Sequence, residues 1–322
     1  MFKFFNDVGL NNVLRCFKKN KLTVLSLHRI SEELDFFWNP MKPKTFEFLL
    51  AYLKKHYHVI CFRELPEIVK VKGTKPLAII SFDDGYYDFY EYALPLLMKY
   101  KLPSNHNIVN ECAENNMIIW TQRLNFIFNH CRQNKIAVSF EKNEHRFELN
   151  NFNNNWMSFY LAVYKWMLQL PLQDRLELLV KHENALSISA SVKMMNWQQI
   201  AECSANGVEV GSHTFSHDVI STINDEVLLN KEIVQSTREL EQKINKKVNV
   251  LALPNGQGNV NITKCLTEAK INYLLYVEDK LNELNNLTGT INKIYRINLV
   301  EENVSAMKLR TEMFHSKIKK YA

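Results

Sequence analysis

An α/β fold built on a parallel sheet and interrupted by a mostly helical stretch is what this sequence predicts, on three observations. Short apolar, β-branched runs alternate with segments of helical periodicity over residues 21–110, and the rhythm returns over 196–300. Residues 111–195 carry amphipathic stretches and no comparable series of buried strands, which reads as a helical insertion. Two chemically loaded pairs, Asp83-Asp84 and His213 with His217, follow apolar runs directly, and ligands collect at the carboxyl ends of parallel strands.

The elements follow in order. Residues 22–27 form a short apolar run that reads as a buried strand ending at His28-Arg29. Phe46, Leu49, Leu50 and Leu53 predict a helix over 44–56; residues 59–62 predict a second strand, 65–71 a short helix, and 77–82 a third strand running into the aspartates. After Ile108-Val109 the rhythm changes. The insertion's aromatics, Trp120, Phe126, Trp156, Phe159, Tyr160 and Trp166, read as core rather than as sugar-stacking platforms. From Trp197 the strands resume at 208–213, 248–253, 273–277 and 294–299, with a long helix over 225–243 and a tight turn at Pro254-Asn255-Gly256.

Composition narrows the function classes. With 322 residues, 46% hydrophobic and 23% charged, the chain can bury one large domain carrying an insertion, and 8 Gly, 8 Pro and no fixed-period repeat exclude a solenoid or a disordered chain. A net charge of +6 is modest for this length, and with no nucleic-acid-binding signature no nucleic-acid partner is expected. The 6 cysteines are scattered without a close pair, which fits a reducing compartment and argues against a zinc ribbon or a disulfide framework.

The two ends are basic and ambiguous. Residues 1–8 lack the apolar stretch of about 7–15 residues that a secretory signal needs, and no window approaches the ~20 of a membrane span, so a cytoplasmic location is expected. Over 1–20, Phe2, Phe5, Val8, Leu10, Val13, Leu14 and Phe17 recur at helical spacing beside Arg15, Lys18 and Lys19. That pattern suits a helix packed on the domain, or one lying on an anionic bilayer. Residues 301–322 read as a basic helix or tail with Lys308, Arg310, Lys317, Lys319 and Lys320, open to the same two readings.

Asp84 with His213 and His217 makes a two-histidine, one-carboxylate set that suits Zn2+, or another divalent metal such as Co2+, Ni2+ or Mn2+. Neighbouring side chains at a strand end point in different directions, so Asp83 stays free to accept a proton from water activated at the metal. Asp88 reads as a helix cap. His56, His58, His106, His130 and His145 show no partner pattern and read as structural or solvated.

Ser81-Phe82-Asp83-Asp84-Gly85 resembles the first motif of the polysaccharide deacetylases, the NodB-like carbohydrate esterases of family 4. His213-Thr214-Phe215-Ser216-His217 resembles their second motif, and Leu253-Pro254-Asn255-Gly256 stands at the third; Trp197 and residues 206–211 extend the likeness, which covers most of 22–110 and 195–300. The resemblance implies a distorted, incomplete (β/α) barrel, a divalent metal, and hydrolysis of N-acetyl groups on amino sugars. By motif, Asp83 is the general base, Asp84, His213 and His217 are the metal ligands, and the backbone N–H near Asn255, after Pro254, helps hold the oxyanion.

Two family features are missing. The third-motif arginine is replaced by Ala252-Leu253, and no Leu-x-His general acid stands near the C-terminus, where His315 lies in a basic tail. Leu27-His28-Arg29-Ile30 resembles the N-terminal element of a permuted subgroup that includes biofilm poly-N-acetylglucosamine deacetylases, which implies His28 as general acid. Arg296, in Tyr295-Arg296-Ile297, is the candidate for the missing positive charge. The expected activity is metal-dependent N-deacetylation of an N-acetylhexosamine, polyprenyl-phosphate-linked and used in envelope or lipid A assembly, at the inner membrane surface. The alternatives are a polymeric poly-N-acetylglucosamine substrate, or a non-catalytic carbohydrate binder on the same fold.

Overall fold

Parallel pairing carries the chain into a ring. The computed structural model describes residues 9–70, 73–258 and 260–314. Its strands β1 (Lys21–Leu27), β3 (Leu77–Phe82), β4 (Ser104–Ile108), β7 (Val208–Ser212), β8 (Val250–Ala252), β9 (Tyr273–Val277) and β11 (Asn292–Asn298) pair in that order. β1 pairs with β3 from Leu22–Leu77 to Leu27–Phe82 and with β11 at Leu25–Ile297 and Ser26–Asn298, which closes a seven-stranded barrel where a complete (β/α) barrel has eight. Two short strands flank the ring. β2 (His58–Val59) lies parallel to the start of β3, and β10 (Asn282–Glu283) antiparallel to the start of β1.

Alternation along the strands separates two environments. Leu22, Val24, Ile79, Val250, Leu275 and Ile294 meet in one apolar cluster across the ring. Leu25, Leu27, Ile80 and Phe82 face outward onto Phe46, Leu49, Leu50 and Leu53, the stripe that the sequence predicted for the helix Pro43–His56. The predicted strand at 59–62 stops early for a polar reason. The backbone N–H groups of Phe62 and Arg63 donate to the buried carboxylate of Glu209 at 2.7 and 2.8 Å, and that of Cys61 donates to Glu64 at 2.7 Å, so these donors are spent away from the sheet.

The insertion contains helices Trp120–Asn134, Trp156–Met167 and Leu172–Leu186, and also a hairpin that helical periodicity did not reveal. β5 (Ser139–Lys142) and β6 (His145–Glu148) turn at Asn143, whose φ of 55° is left-handed. Phe140 of β5 stacks on Phe128 with ring centroids 5.2 Å apart, fastening the hairpin to the helices.

Both ends of the described chain dock on the helix Pro43–His56. The Lys18 ammonium, from the turn after the helix Leu10–Cys16, pairs with Glu312 at 3.1 Å and donates to Thr311 O at 2.6 Å. Arg15 pairs with Glu312 at 3.3 Å, and Tyr52 donates to it at 2.7 Å. Arg15 and Lys18 are therefore tied inward, which favours the packed-helix reading for this segment, while Val13 and Phe17 stay exposed. Residues 1–8, with Phe2 and Phe5, and His315, Lys317, Lys319 and Lys320 lie outside the described residues.

Removing Glu312 would leave the Lys18 ammonium buried without its counter-charge. Glu312→Ala is expected to destabilise the fold by about 3–5 kcal/mol in urea titration, and the double variant Lys18→Met/Glu312→Leu to recover most of that loss.

Candidate metal and catalytic site

The carboxyl ends of β1, β3, β7 and β8 bring the predicted residues to one cavity of about 360 Å³, lined by His28, Asp83, Asp84, His213, His217 and Asn255 among others. Local backbone geometry separates the two aspartates. Asp83 is held in line with the sheet by its N–H bond to Leu27 O at 3.1 Å, whereas Asp84 has a left-handed φ of 79° and is followed by Gly85 at 92°. Thr214 and His217 are left-handed too, at 68° and 59°. Such conformations in non-glycine residues cost energy and persist where the surroundings enforce them.

Asp84, His213 and His217 each offer a ligand atom within 4.8 Å of one another, and all three are buried. His213 Nε2 lies 3.3 Å and His217 Nε2 3.5 Å from Asp84 Oδ1, yet among the described residues neither Asp84 oxygen accepts a well-directed hydrogen bond. A buried carboxylate without donors is costly, and a cation between these three groups would satisfy it. His213 Nδ1 lies 2.9 Å from Ala252 O, a contact that puts the proton on Nδ1 and leaves the Nε2 lone pair facing the site. Burial pushes His217 down to about 3, so its imidazole is neutral at pH 7, the form a metal takes. The donor set and its supports fit a divalent ion.

The loop carrying the histidines is fastened by a residue that sequence reading did not single out. Glu232 accepts from Phe215 N and Ser216 N at 3.0 Å each and from Ser216 Oγ at 2.7 Å. It sits in Lys231–Gln235, a π-helical turn inside the long predicted helix, and such turns recur at functional sites because they redirect a side chain. Nothing in local periodicity marks a π turn in advance.

Asp83 stands beside this set. Its Oδ1 accepts from Arg296 Nη1 at 2.8 Å and from Asn107 Nδ2 at 2.7 Å, and its Oδ2 lies 3.9 Å from His28 Nε2. Burial opposes ionisation of Asp83, but the Arg296 guanidinium outweighs it and holds the carboxyl well below the usual carboxylate range. Asn107 reaches Asp83 because β7 has a glycine against it: a Cβ on Gly211 would meet Asn107 Oδ1 at 2.1 Å. Asn107 also escaped the sequence reading, although its polar neighbours Asn105 and His106 in an otherwise strand-like run were a visible signal. Burial lowers the His28 pKa against the attraction of Asp84 and Asp83, and its ring meets Trp38 edge-on at 4.8 Å.

Other predicted residues fall elsewhere. Arg296 is fully buried behind Asp83 and does not line the cavity; neither does Pro254, whose part is to lead into Asn255, left-handed at φ 55°. Asp88 does not cap a helix with its side chain; its carboxylate pairs with Arg29 Nε at 2.7 Å and accepts from Ile30 N at 3.4 Å, both on the loop after β1. Tyr160, read as core, packs in the insertion's core and also lines the cavity, together with Leu161 and Tyr164 of the same helix.

Residues 176–274 match the family model described as polysaccharide deacetylase. No curated protein matches the chain in sequence. Among solved structures the chain is similar to the deacetylase PplD of Streptococcus pyogenes in complex with acetate, at 15% identity and a TM-score of 0.59, covering 91% of this chain and 98% of that one. It is similar to IcaB from Ammonifex degensii at 16% identity and 0.59, covering 91% and 97%. BC0361, a polysaccharide deacetylase from Bacillus cereus, aligns at 14% identity and 0.59, covering 91% and 69%. At such identities these likenesses establish the fold.

His106 offers a stability test. It is buried in β4 with Nε2 3.3 Å from Asp83 O, and burial pushes its pKa down to about 4. The unfolded chain, with an ordinary histidine pKa near 6.5, therefore binds this proton first as pH falls, and stability is lost between about 6.5 and 4. Moving from pH 7 to 5 is expected to remove about 2 kcal/mol through this group, a loss that His106→Asn should abolish in urea titrations at the two pH values.

Proposed function

We propose, from the premise that the chain is a NodB-like polysaccharide deacetylase cleaving N-acetyl amide bonds, that it is a metal-dependent deacetylase of a lipid-linked N-acetylhexosamine. The observation that carries the reading is the division of labour between adjacent aspartates: Asp83 kept ionised by Arg296 and Asn107, and Asp84 facing two histidines without a hydrogen-bond donor of its own. Held by Asp84, His213 and His217, a divalent ion would supply Lewis-acid polarisation of the acyl oxygen and acidify water.

The chain's own groups supply the rest. Asp83 accepts the proton of the attacking water as the C–O bond forms. The N–H at Asn255 donates to the developing oxyanion. His28 gives a proton to the amine nitrogen as the C–N bond breaks, leaving acetate and a free amino sugar. Arg296 stands in for the third-motif arginine, from a different strand: its contact with Asp83 keeps the base ionised throughout the working pH range and fixes its direction.

The lipid-linked reading draws support from the mouth. Leu161 and Val277 line the cavity yet remain 42% and 46% exposed, and Leu34 and Phe36 are exposed on the loop that carries Phe37 and Trp38 into it. An apolar rim around a polar site suits a sugar presented at a bilayer surface. On this reading the enzyme works peripherally, at the cytoplasmic face; no helix among the described residues is long and apolar enough to cross a membrane.

Asp83→Asn is expected to abolish acetate release while retaining the metal, and His213→Ala to lose the metal, as read by metal analysis of purified protein and acetate assay on a polyprenyl-phosphate N-acetylhexosamine in detergent. Normal turnover by Asp83→Asn would overturn the catalytic assignment, and release from poly-N-acetylglucosamine alone would replace the lipid-linked reading with the polymer. His28→Ala should slow turnover by roughly 10²–10⁴-fold with metal content unchanged, the cost of a lost general acid.

A further inference from the structure

Among its contacts with the barrel, the insertion is fastened to the loops leaving the carboxyl ends of β1, β7 and β8. After β1, the Asp35 carboxylate accepts from Asn125 at 2.8 Å and from Asn129 at 3.0 Å, and the Phe37 ring packs 4.7 Å from Tyr160. After β7, the fully buried Arg175 pairs at 2.5 Å with Asp218, the neighbour of His217. After β8, Tyr164 donates to Asn255 Oδ1. In the ring order β1-β3-β4-β7-β8-β9-β11, β7 and β8 stand across from β1. The insertion therefore spans the barrel mouth and is anchored on both banks.

Stacking stiffens the span. Tyr164 stacks on Trp120 at 5.7 Å and 17°, and the Arg175 guanidinium lies 5.0 Å from the Trp120 ring. The anchor beside the histidine loop and the wall of the cavity are thus one packed unit. The helix Trp156–Met167 sends Tyr160, Leu161 and Tyr164 to the cavity that holds Asp83 and Asp84. At about 360 Å³ the space is near the low end of the roughly 300–1,000 Å³ of small-molecule sites, room for about one pyranose ring with its acetamido group.

We propose that the insertion is a fixed roof that restricts the site to a single, terminal N-acetylhexosamine and excludes the interior sugars of a long glycan. The proposal rests on the deacetylase reading and assigns its substrate size. A sugar with neighbours on both sides would need the mouth clear at both banks, and the insertion, bonded to Asp35 on one and Asp218 on the other, crosses it. Tyr160, Leu161 and Tyr164 become specificity-determining residues, although none of them touches the metal set or Asp83 through a hydrogen bond.

The test compares a monosaccharide glycoside of N-acetylglucosamine with a defined pentamer, locating freed amines by mass spectrometry. Wild-type enzyme should release acetate from the glycoside and from a terminal residue at least about tenfold faster than from interior residues. Leu161→Ala, at a half-exposed position that should not compromise folding, and Tyr164→Phe should narrow that preference. Leu161→Ala should raise KM for the glycoside about tenfold and leave kcat within about threefold. Interior residues deacetylated as fast as terminal ones by wild type would overturn the roof while leaving the deacetylase reading intact. If wild type releases acetate from neither, the deacetylase reading fails, and N-acetylglucosamine binding followed by tryptophan fluorescence decides the roof separately. Affinity weakened about tenfold by Leu161→Ala and Tyr164→Phe supports it, and unchanged affinity overturns it.

Discussion

Closure of the ring through β1 is the constraint on which the site depends. Because β1 pairs with β3 on one side and β11 on the other, the barrel interior is shared by strands from the two ends of the chain. Arg296 thereby reaches Asp83 across a sequence separation of 213 residues, and His28, at the end of the closing strand, comes to lie 3.9 Å from the other oxygen of Asp83. An open sheet of the same strands would leave Arg296 on a distant edge and Asp83 as a buried carboxylate without compensation. The pair is demanding in both directions, since a buried charge deprived of its partner costs far more than the pair contributes.

The same constraint explains how two adjacent carboxylates acquire different chemistry. Asp83 continues the inward alternation of Ile79 and Ser81 and meets the polar layer formed by Asn107 and Arg296. Asp84, turned by its left-handed backbone, leaves that layer and faces the histidines without a donor of its own. Electrostatic environment, not residue type, sets the two aspartates apart, and the strain at Asp84, Thr214 and His217 is borne by the packing of β3 and β7 and by the buried Glu232.

The insertion and the two ends draw on the barrel in opposite ways. The ends bury ion pairs against the helix Pro43–His56, remote from the cavity, and serve stability. The insertion keeps its own aromatic core and extends polar and aromatic contacts to the loops of β1, β7 and β8, so its packing bears directly on the shape of the cavity.

Much of this was legible in the sequence wherever the information is local. Strands β3 and β9 and the helix Pro43–His56 follow from runs and periodicities that a few neighbouring residues determine, and the aspartate pair and the paired histidines sit at strand ends for the same reason. The hairpin β5–β6, the early end of β2, the Asp88–Arg29 pair and the π turn at Glu232 were not, because each depends on a partner far along the chain or on hydrogen bonds that periodicity does not encode. Asn107 and Tyr164 belong with them: a polar residue in a strand and an aromatic in a helix become part of a site only through what the fold sets opposite them. The sequence by itself determined which residues could bind a metal and move a proton. Only the tertiary structure decided which charge balances Asp83 and what walls the cavity, since burial and distance set those energies and both arise only when the ring has closed.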